Sequence, residues 1–305
     1  MTAKTDLLSR IEYIESAINL PPLIDNGIGN SSHNSIANLL RKGLGIVSFN
    51  ILEDFIKKRT VEAFQHISTS RVRFENLPEQ LQSAATQGVL KALINRSALE
   101  KKNNGDWLGL IQKESNIIYS TSQGTYSISE LSLLNDSSNI APDDINTVMK
   151  CFGITGGWAT LKRISDSFGG GILDLCEVYK NTSNRRHSSA HEANFQYQYS
   201  WLQNITNEIK SIAASFDIAL SARCRQISKQ PSKKVNEHQL DEVLNYRFLH
   251  KENGCYKEKK SFTGRSTKNW DDLEAAVDSL SPNLENKAEF LVVINENRRI
   301  ENWYT

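Results

Sequence analysis

Four cysteines, six prolines and two methionines are all that 305 residues provide of those types. Long apolar runs are missing too, and each shortage excludes something. Cys151, Cys176, Cys224 and Cys255 stand far apart with no CxxC pair. Neither a disulfide framework nor a thiolate zinc site is expected, and the thiols suit a reducing, cytoplasmic setting. No segment nears the ~18 apolar residues of a membrane span. The opening MTAKTDLLSRIEYIESAINL mixes acidic residues into its apolar pattern, unlike a signal peptide. Charge of one sign is lacking as well: 36 Lys+Arg against 35 Asp+Glu leaves +1. That excludes a uniformly basic nucleic-acid wrapper but not a local basic site. There is no GxSxG, no GxGxxG after a strand and no internal repeat. Gly169–Gly171 lacks the Lys-Ser/Thr of a phosphate-binding loop and reads as a flexible turn.

What is present is enough apolar residue for a sizeable core: 39% hydrophobic against 23% charged. The length suits one large domain and a small one. Helical spacing dominates the first three quarters. Leu7, Leu8, Ile11, Ile14 and Ala17 predict a helix over 5–18, ended by Pro21-Pro22, with a loop from Asp25 to Asn34. Leu40, Leu44, Val47, Ile51 and Phe55 form one stripe of a long helix over 35–66. Pro78–Leu99 carries another amphipathic pattern. The stretch 107–138 is mixed, with a possible short strand at Asn116–Tyr119. Pro142, with Asp143 and Asp144 in the first turn, starts a helix running to about Phe152; another spans Trp158–Phe168. Ile172, Leu175, Cys176 and Tyr179 open a further helix. The apolar pattern then fails for about twenty residues and resumes at Leu202, Ile205, Ile209, Ile212, Phe216 and Leu220.

Composition shifts again at 228–236, which reads as a linker. Beyond it, Tyr246–Leu249 and Phe290–Ile294 look like strands and Asp271–Leu280 like a helix with Trp270 at its base. Asn295–Arg298 looks like a hairpin tip. The fold class is therefore mainly α with a small C-terminal α+β module. Its parts are an N-terminal helix and loop (1–34), a helical domain (35–225) and the module (230–305). Charge is uneven in the tail: 12 basic against 5 acidic residues from Ser221 to Lys268, then 3 against 8 to Thr305. The basic half suits either a phosphate backbone or an ordinary solvated surface.

The segment that could carry chemistry is Arg185-Arg186-His187-Ser188-Ser189-Ala190-His191-Glu192, a polar interruption between two apolar helices. Arginine offers a rigid fork of donors that fits phosphate oxygens. Histidine exchanges protons near neutral pH. Together they suit RNA cleavage without a metal. The 2′-OH attacks its own phosphate, a base takes its proton, an acid protonates the leaving 5′-oxygen, and a cation stabilises the crowded phosphorus. The structural alternative is that Arg186 and His191 cap helices or pair with Glu53 or Asp54. Those two carboxylates are either salt-bridged surface groups or the groups that orient Arg186. His187 and His191 are four apart, as metal ligands on one helix face often are. With only Glu192 nearby and no HExxH, no metal site is expected. Phe195, Tyr197, Tyr199 and Trp201 follow and could stack bases or pack internally.

The Arg-x4-His spacing of Arg186 and His191, with polar His187 straight after the arginine, resembles the ribonucleases of the HEPN superfamily, most closely its RiboL-PSP-like branch. Three stretches add to the resemblance: RKGLGIVSFNILEDFIKKR (41–59), NIAPDDINTVMKCFGI (139–154) and NEIKSIAASFDIAL (207–220). It covers about Ser35 to Ala222. It departs from the family at His187, where Asn is common, at Glu192, where Gly is common, and at Ala193, where one branch has Tyr. The resemblance implies a HEPN-like helical bundle that forms a homodimer, with two motifs facing one another as one composite site. It implies a metal-independent endoribonuclease without cofactor, leaving a 2′,3′-cyclic phosphate end. The biological role would be that of a toxin or effector in toxin–antitoxin or antiviral defence, with an antitoxin or trigger protein as a further partner. His191 would then be the acid/base residue and Arg186 the transition-state cation. Arg185 and His187 would hold RNA, and Glu53, Asp54 and Glu192 would position these groups. The rival reading is a non-catalytic dimerisation or RNA-binding scaffold.

Overall fold

The computed structural model describes residues 1–134, 139–235 and 240–305. The last residues of the 107–138 stretch and the end of the 228–236 linker lie outside the described residues. The chain is mainly helical, with a small α+β module at its C-terminus. It forms two compact units, neither continuous in sequence. One comprises 1–56, 161–218 and 245–305; the other comprises 57–160 and 219–244.

In the first unit, α1 (Ala3–Ile18) begins where the Thr2 hydroxyl accepts from the Thr5 N–H at 3.2 Å. It buries Leu7, Ile11, Ile14 and Ile18, spaced three or four apart. Helix α2 (Ser31–Thr69) is longer than its apolar stripe. Its part in this unit buries Ala37, Phe49, Leu52 and Phe55, and Phe49 meets Tyr179 of α8 (Leu175–His191) with ring centroids 5.4 Å apart. Helix α9 (Tyr199–Lys229) is tied back to α1 by the Tyr199 hydroxyl, which donates to Ile18 O at 3.1 Å, and by Lys210 Nζ, 2.8 Å from Glu15. Helix α7 (Trp158–Ser167) ends at Gly169, whose φ of +67° needs a glycine and whose missing side chain makes room for the Phe262 ring.

The module in this unit is a five-stranded sheet. Strands β1 (Asn245–Glu252), β2 (Cys255–Lys259), β3 (Ser266–Trp270), β4 (Glu289–Ile294) and β5 (Ile300–Tyr304) stand in the order 3-2-1-4-5. Only the β1–β4 pair is parallel; the other pairs are antiparallel. The two central strands are buried on both faces, as parallel neighbours are. One face carries Leu249, Leu291 and Val293 against Ala276, Leu280 and Leu284 of helix α10 (Leu273–Lys287), with Trp270 partly buried at its base. On β5, Trp303 is fully buried and its indole N–H donates to Asp217 of α9 at 2.7 Å. The Lys4 ammonium of α1 lies over the Tyr304 ring and bonds the Trp303 carbonyl. The expected hairpin tip at Asn295–Arg298 joins β4 to β5.

The second unit is helical. Helix α3 (Glu79–Ser83) passes through one wide turn, 84–88, into α4 (Val89–Lys102), which pairs with α5 (Trp107–Ser120). The Asn116–Tyr119 strand is not formed: those residues are the last turn of α5. Leu110, Ile111, Glu114, Ile117 and Ile118 face inward at helical spacing, and buried Glu114 bonds the Ser129 hydroxyl. Two adjacent isoleucines mimic a strand only when taken without that longer period. Helix α6 (Pro142–Cys151) brings Phe152 onto Phe64, ring centroids 5.6 Å apart. Arg223, 1% exposed, donates to Gly153 O at 2.7 Å and to Gln226 and Val235 O, which answers the cost of burying its charge. Among the described residues no helix is long and apolar enough to cross a membrane.

Candidate active site

The motif is not in a gap between helices. It occupies the last two turns of α8, which the Asp174 carboxylate caps by accepting from the Glu177 N–H at 2.9 Å. The helix continues because its inward stripe does: Leu175, Tyr179, Thr182, Arg186 and Ser189 step by four, three, four and three. Apolar residues start that stripe and small or polar ones finish it. Thr182 and Ser189 are buried, and so is the Arg186 Nε, which has no hydrogen-bond partner. Among the described residues Arg186 has no ion pair.

His187 and His191 lie on the outer side, both exposed, their ring centroids 4.6 Å apart and tilted by 49°. At 3.6 residues per turn, positions 186 and 191 are rotated by roughly 140° about the helix axis. One α8 therefore presents a half-buried guanidinium and a solvent-facing imidazole pair on different faces. Glu192 ends the helix and accepts from the Ser188 hydroxyl at 2.7 Å, so its carboxylate is directed to serine rather than to His191. The carbonyl of Glu192 accepts from Lys42 Nζ of α2, also at 2.7 Å. A cation at a helix C-terminus is favourable with the helix dipole.

Arg185 is held. Its guanidinium lies over the Trp201 ring, 5.1 Å from the centroid, and Nη1 is 3.8 Å from the Glu208 carboxylate. Burial raises the Glu208 pKa, while Arg185 and the Thr182 hydroxyl pull it down. Burial also pushes the Tyr197 phenol up to about 12, against the pull of Arg185 beside it. The aromatics after the motif pack on one another: Tyr197 and Phe195 each meet Trp201, with centroids 5.5 and 6.2 Å apart. Asn38 of α2 fixes this segment, accepting from Tyr197 N–H and donating to Phe195 O. Gly45 leaves the space that the Tyr197 ring fills.

Of the two carboxylates on α2, Asp54 pairs with Arg10 of α1 at 3.0 Å. Glu53 is buried, 6% exposed. The structure thus brings Arg185, Arg186, His187 and His191 onto one helix end and gives Asp54 a partner elsewhere. Trp201, one of the aromatics marked in the sequence, packs on Arg185, and residues the sequence did not single out complete the surroundings: Lys42 and Asn38 hold the segment, and Glu208 holds Arg185. Nothing in their local pattern marks them. A groove of about 670 Å³ runs beside the helix end, lined by Asn34, Asn38, Arg41, Lys42, Ala193 and Asn194 among others. Among the described residues no three His, Cys, Asp or Glu cluster as a metal site. Set against protein-family models, curated proteins and solved structures, the chain matches none.

Proposed function

We propose that this protein is a metal-independent endoribonuclease of the HEPN type, acting in the cytoplasm as a toxin or defence effector, its RNA cut at a site shared by two copies of the chain. The observation that carries the reading is the pairing of a guanidinium without ion partner, Arg186, with two adjacent exposed imidazoles, His187 and His191, at one helix end. An arginine already neutralised by carboxylate offers little to a phosphate; this one is uncommitted. His191 takes the 2′-OH proton or protonates the leaving 5′-oxygen, Arg186 stabilises the charge building on phosphorus, and His187 steadies the substrate. Arg185, committed to Trp201 and Glu208, holds this helix end in place.

The rotation between Arg186 and His191 supports the two-copy site, since cleavage needs an acid, a base and a cation around one phosphate. Helix α2 adds further support. Ile36, Leu39, Leu40 and Val47 follow one another at helical spacing, 42–68% exposed, and such a contiguous apolar face suits a partner helix. The test is an RNA pool incubated with purified protein in EDTA. Cleavage giving 2′,3′-cyclic phosphate ends, lost in His191→Ala and Arg186→Ala with folding intact, is the expected result. No cleavage by the wild-type protein, alone or with cell extract, would leave the RNA-binding scaffold. That second reading has one observation in its favour: the Glu192 carboxylate at the same helix end, bonded to Ser188, which repels phosphate.

A further inference from the structure

The C-terminal module carries a second polar cavity, of about 300 Å³, lined by His250, Lys251 and Glu252 of β1, Lys259 of β2, Phe262 and Thr263 of the following turn, and Asn295, Glu296 and Arg298 of the β4–β5 tip. Its position follows from the topology. β1 and β4 are parallel neighbours paired up to His250 and Ile294, and the chain leaves their carboxyl ends in opposite directions, β1 into β2 and β4 into β5. A crevice outside the carboxyl ends of diverging parallel strands is where open α/β sheets bind ligands.

The chemistry of the wall is specific. His250 is 5% exposed, yet its Nε2 has no hydrogen-bond partner. A buried polar atom left unpaired costs free energy, and a ligand atom would supply the missing bond. The ring is held by Phe262, centroids 5.1 Å apart, and Phe262 is seated on Gly169. Glu252 is already matched, with Lys257 and Lys259 at 2.7 and 2.8 Å. Arg298, at the tip with φ of 57°, has no ion pair among the described residues. Lys251, Lys259 and Arg298 therefore outweigh Glu252 and Glu296. Burial, Lys259 and Arg298 depress the His250 pKa to about 4, while Glu252 opposes them. The imidazole is neutral at pH 7 in a positive field.

We propose that this cavity binds a phosphate monoester: the phosphate at Arg298, one oxygen bonded to His250 Nε2–H, and the attached sugar against Phe262. Its volume lies at the lower bound of small-ligand sites, roughly 300–1,000 Å³. The site is distinct from the α8 motif, and its test does not depend on whether the protein cuts RNA.

The experiment follows the His250 ring protons of the full-length protein by NMR during titration with inorganic phosphate, ribose 5-phosphate, ribose, and a short RNA with or without a 5′-phosphate. Ribose 5-phosphate should move them saturably and ribose should not. Arg298→Ala, a change at an exposed tip that leaves the sheet intact, should weaken binding by roughly tenfold or more, as loss of a charge-assisted bond does. Response to ribose 5-phosphate but not to the RNA identifies a free metabolite as the ligand, and response to the 5′-phosphorylated RNA identifies an RNA end; both support the site. His250 signals that stay still at millimolar phosphate ester, or binding that Arg298→Ala leaves unchanged, overturn it.

Discussion

Helices α8 and α9 follow one another in the chain and are built on opposite plans. The inward face of α9 is Leu202, Ile205, Ile209, Ile212 and Phe216, all at most 1% exposed. The inward face of α8 begins with Leu175 and Tyr179 and ends with Thr182, Arg186 and Ser189. Apolar surface removed from water is what fixes a helix in place, at about 25 cal/mol per Å². The first helix-end after that surface runs out is where polar groups are left with hydrogen-bonding capacity to offer a ligand. The contrast separates two tasks: α9 holds the unit together, and the last turns of α8 keep polar groups that the core does not use.

The largest effect that sharpens this comparison is on α9. Phe216→Ala removes a fully buried ring and should cost about 3–5 kcal/mol, the range for large-to-small changes in a packed core. Urea unfolding measures it. A loss under about 1 kcal/mol would mean that α9 is not the structural member of the pair.

The next effect sits where the helices meet. Arg185 of α8 and Glu208 of α9 are 15% and 16% exposed and 3.8 Å apart. Arg185→Ala leaves the carboxylate beside the Thr182 hydroxyl without its cation. The expected loss is on the order of 2 kcal/mol at pH 7, below the 3–5 of a fully buried pair because the carboxyl can take a proton instead. The sign of the pH dependence follows. The folded pKa of Glu208 lies above its ordinary value, mainly through burial, and Arg185 holds it down. Its contribution to stability is therefore full below the unfolded pKa and is lost as pH rises through the folded one. Without Arg185 the folded pKa climbs, so the deficit of the variant should widen from pH 4 to pH 7. Glu208→Gln in the same background should flatten that slope; a slope that persists would assign it to another group.

The two plans also explain what was legible in the sequence. The stripe of α9 is unbroken, so its helix could be read residue by residue, as could α1, α6 and the β4–β5 hairpin. The end of α8 could not be, because hydropathy does not distinguish an inward Thr182 or Ser189 from a loop residue. The motif itself was visible as residue types, but not its division into an inner guanidinium and outer imidazoles, which depends on the helix continuing. Nor could Arg10 be matched to Asp54, or Glu208 to Arg185, since each pair joins different helices. Asn116–Tyr119 resembles a short strand only through a window shorter than its helical period. In YRFLHKE nothing separates a buried histidine from an exposed one; His250 becomes informative only when β4 and the turn around Phe262 close over it.

The smallest effect is the one that divides structure from chemistry most sharply. Arg186→Met keeps most of the side-chain volume and its apolar stem while removing a buried N–H that has no acceptor. Leaving such a donor unpaired costs about 1–3 kcal/mol, offset in part by the stem packing that both side chains share. The substitution should therefore leave stability unchanged or raise it by up to about 1 kcal/mol, read as an equal or higher unfolding midpoint. If the proposed nuclease function holds, the same change removes RNA cleavage. Stability held or gained while activity is lost is the signature of a group kept for chemistry at some expense to the fold. A drop of about 2 kcal/mol or more would instead make Arg186 a structural residue of α8. The difference between the helices would then be one of residue type alone.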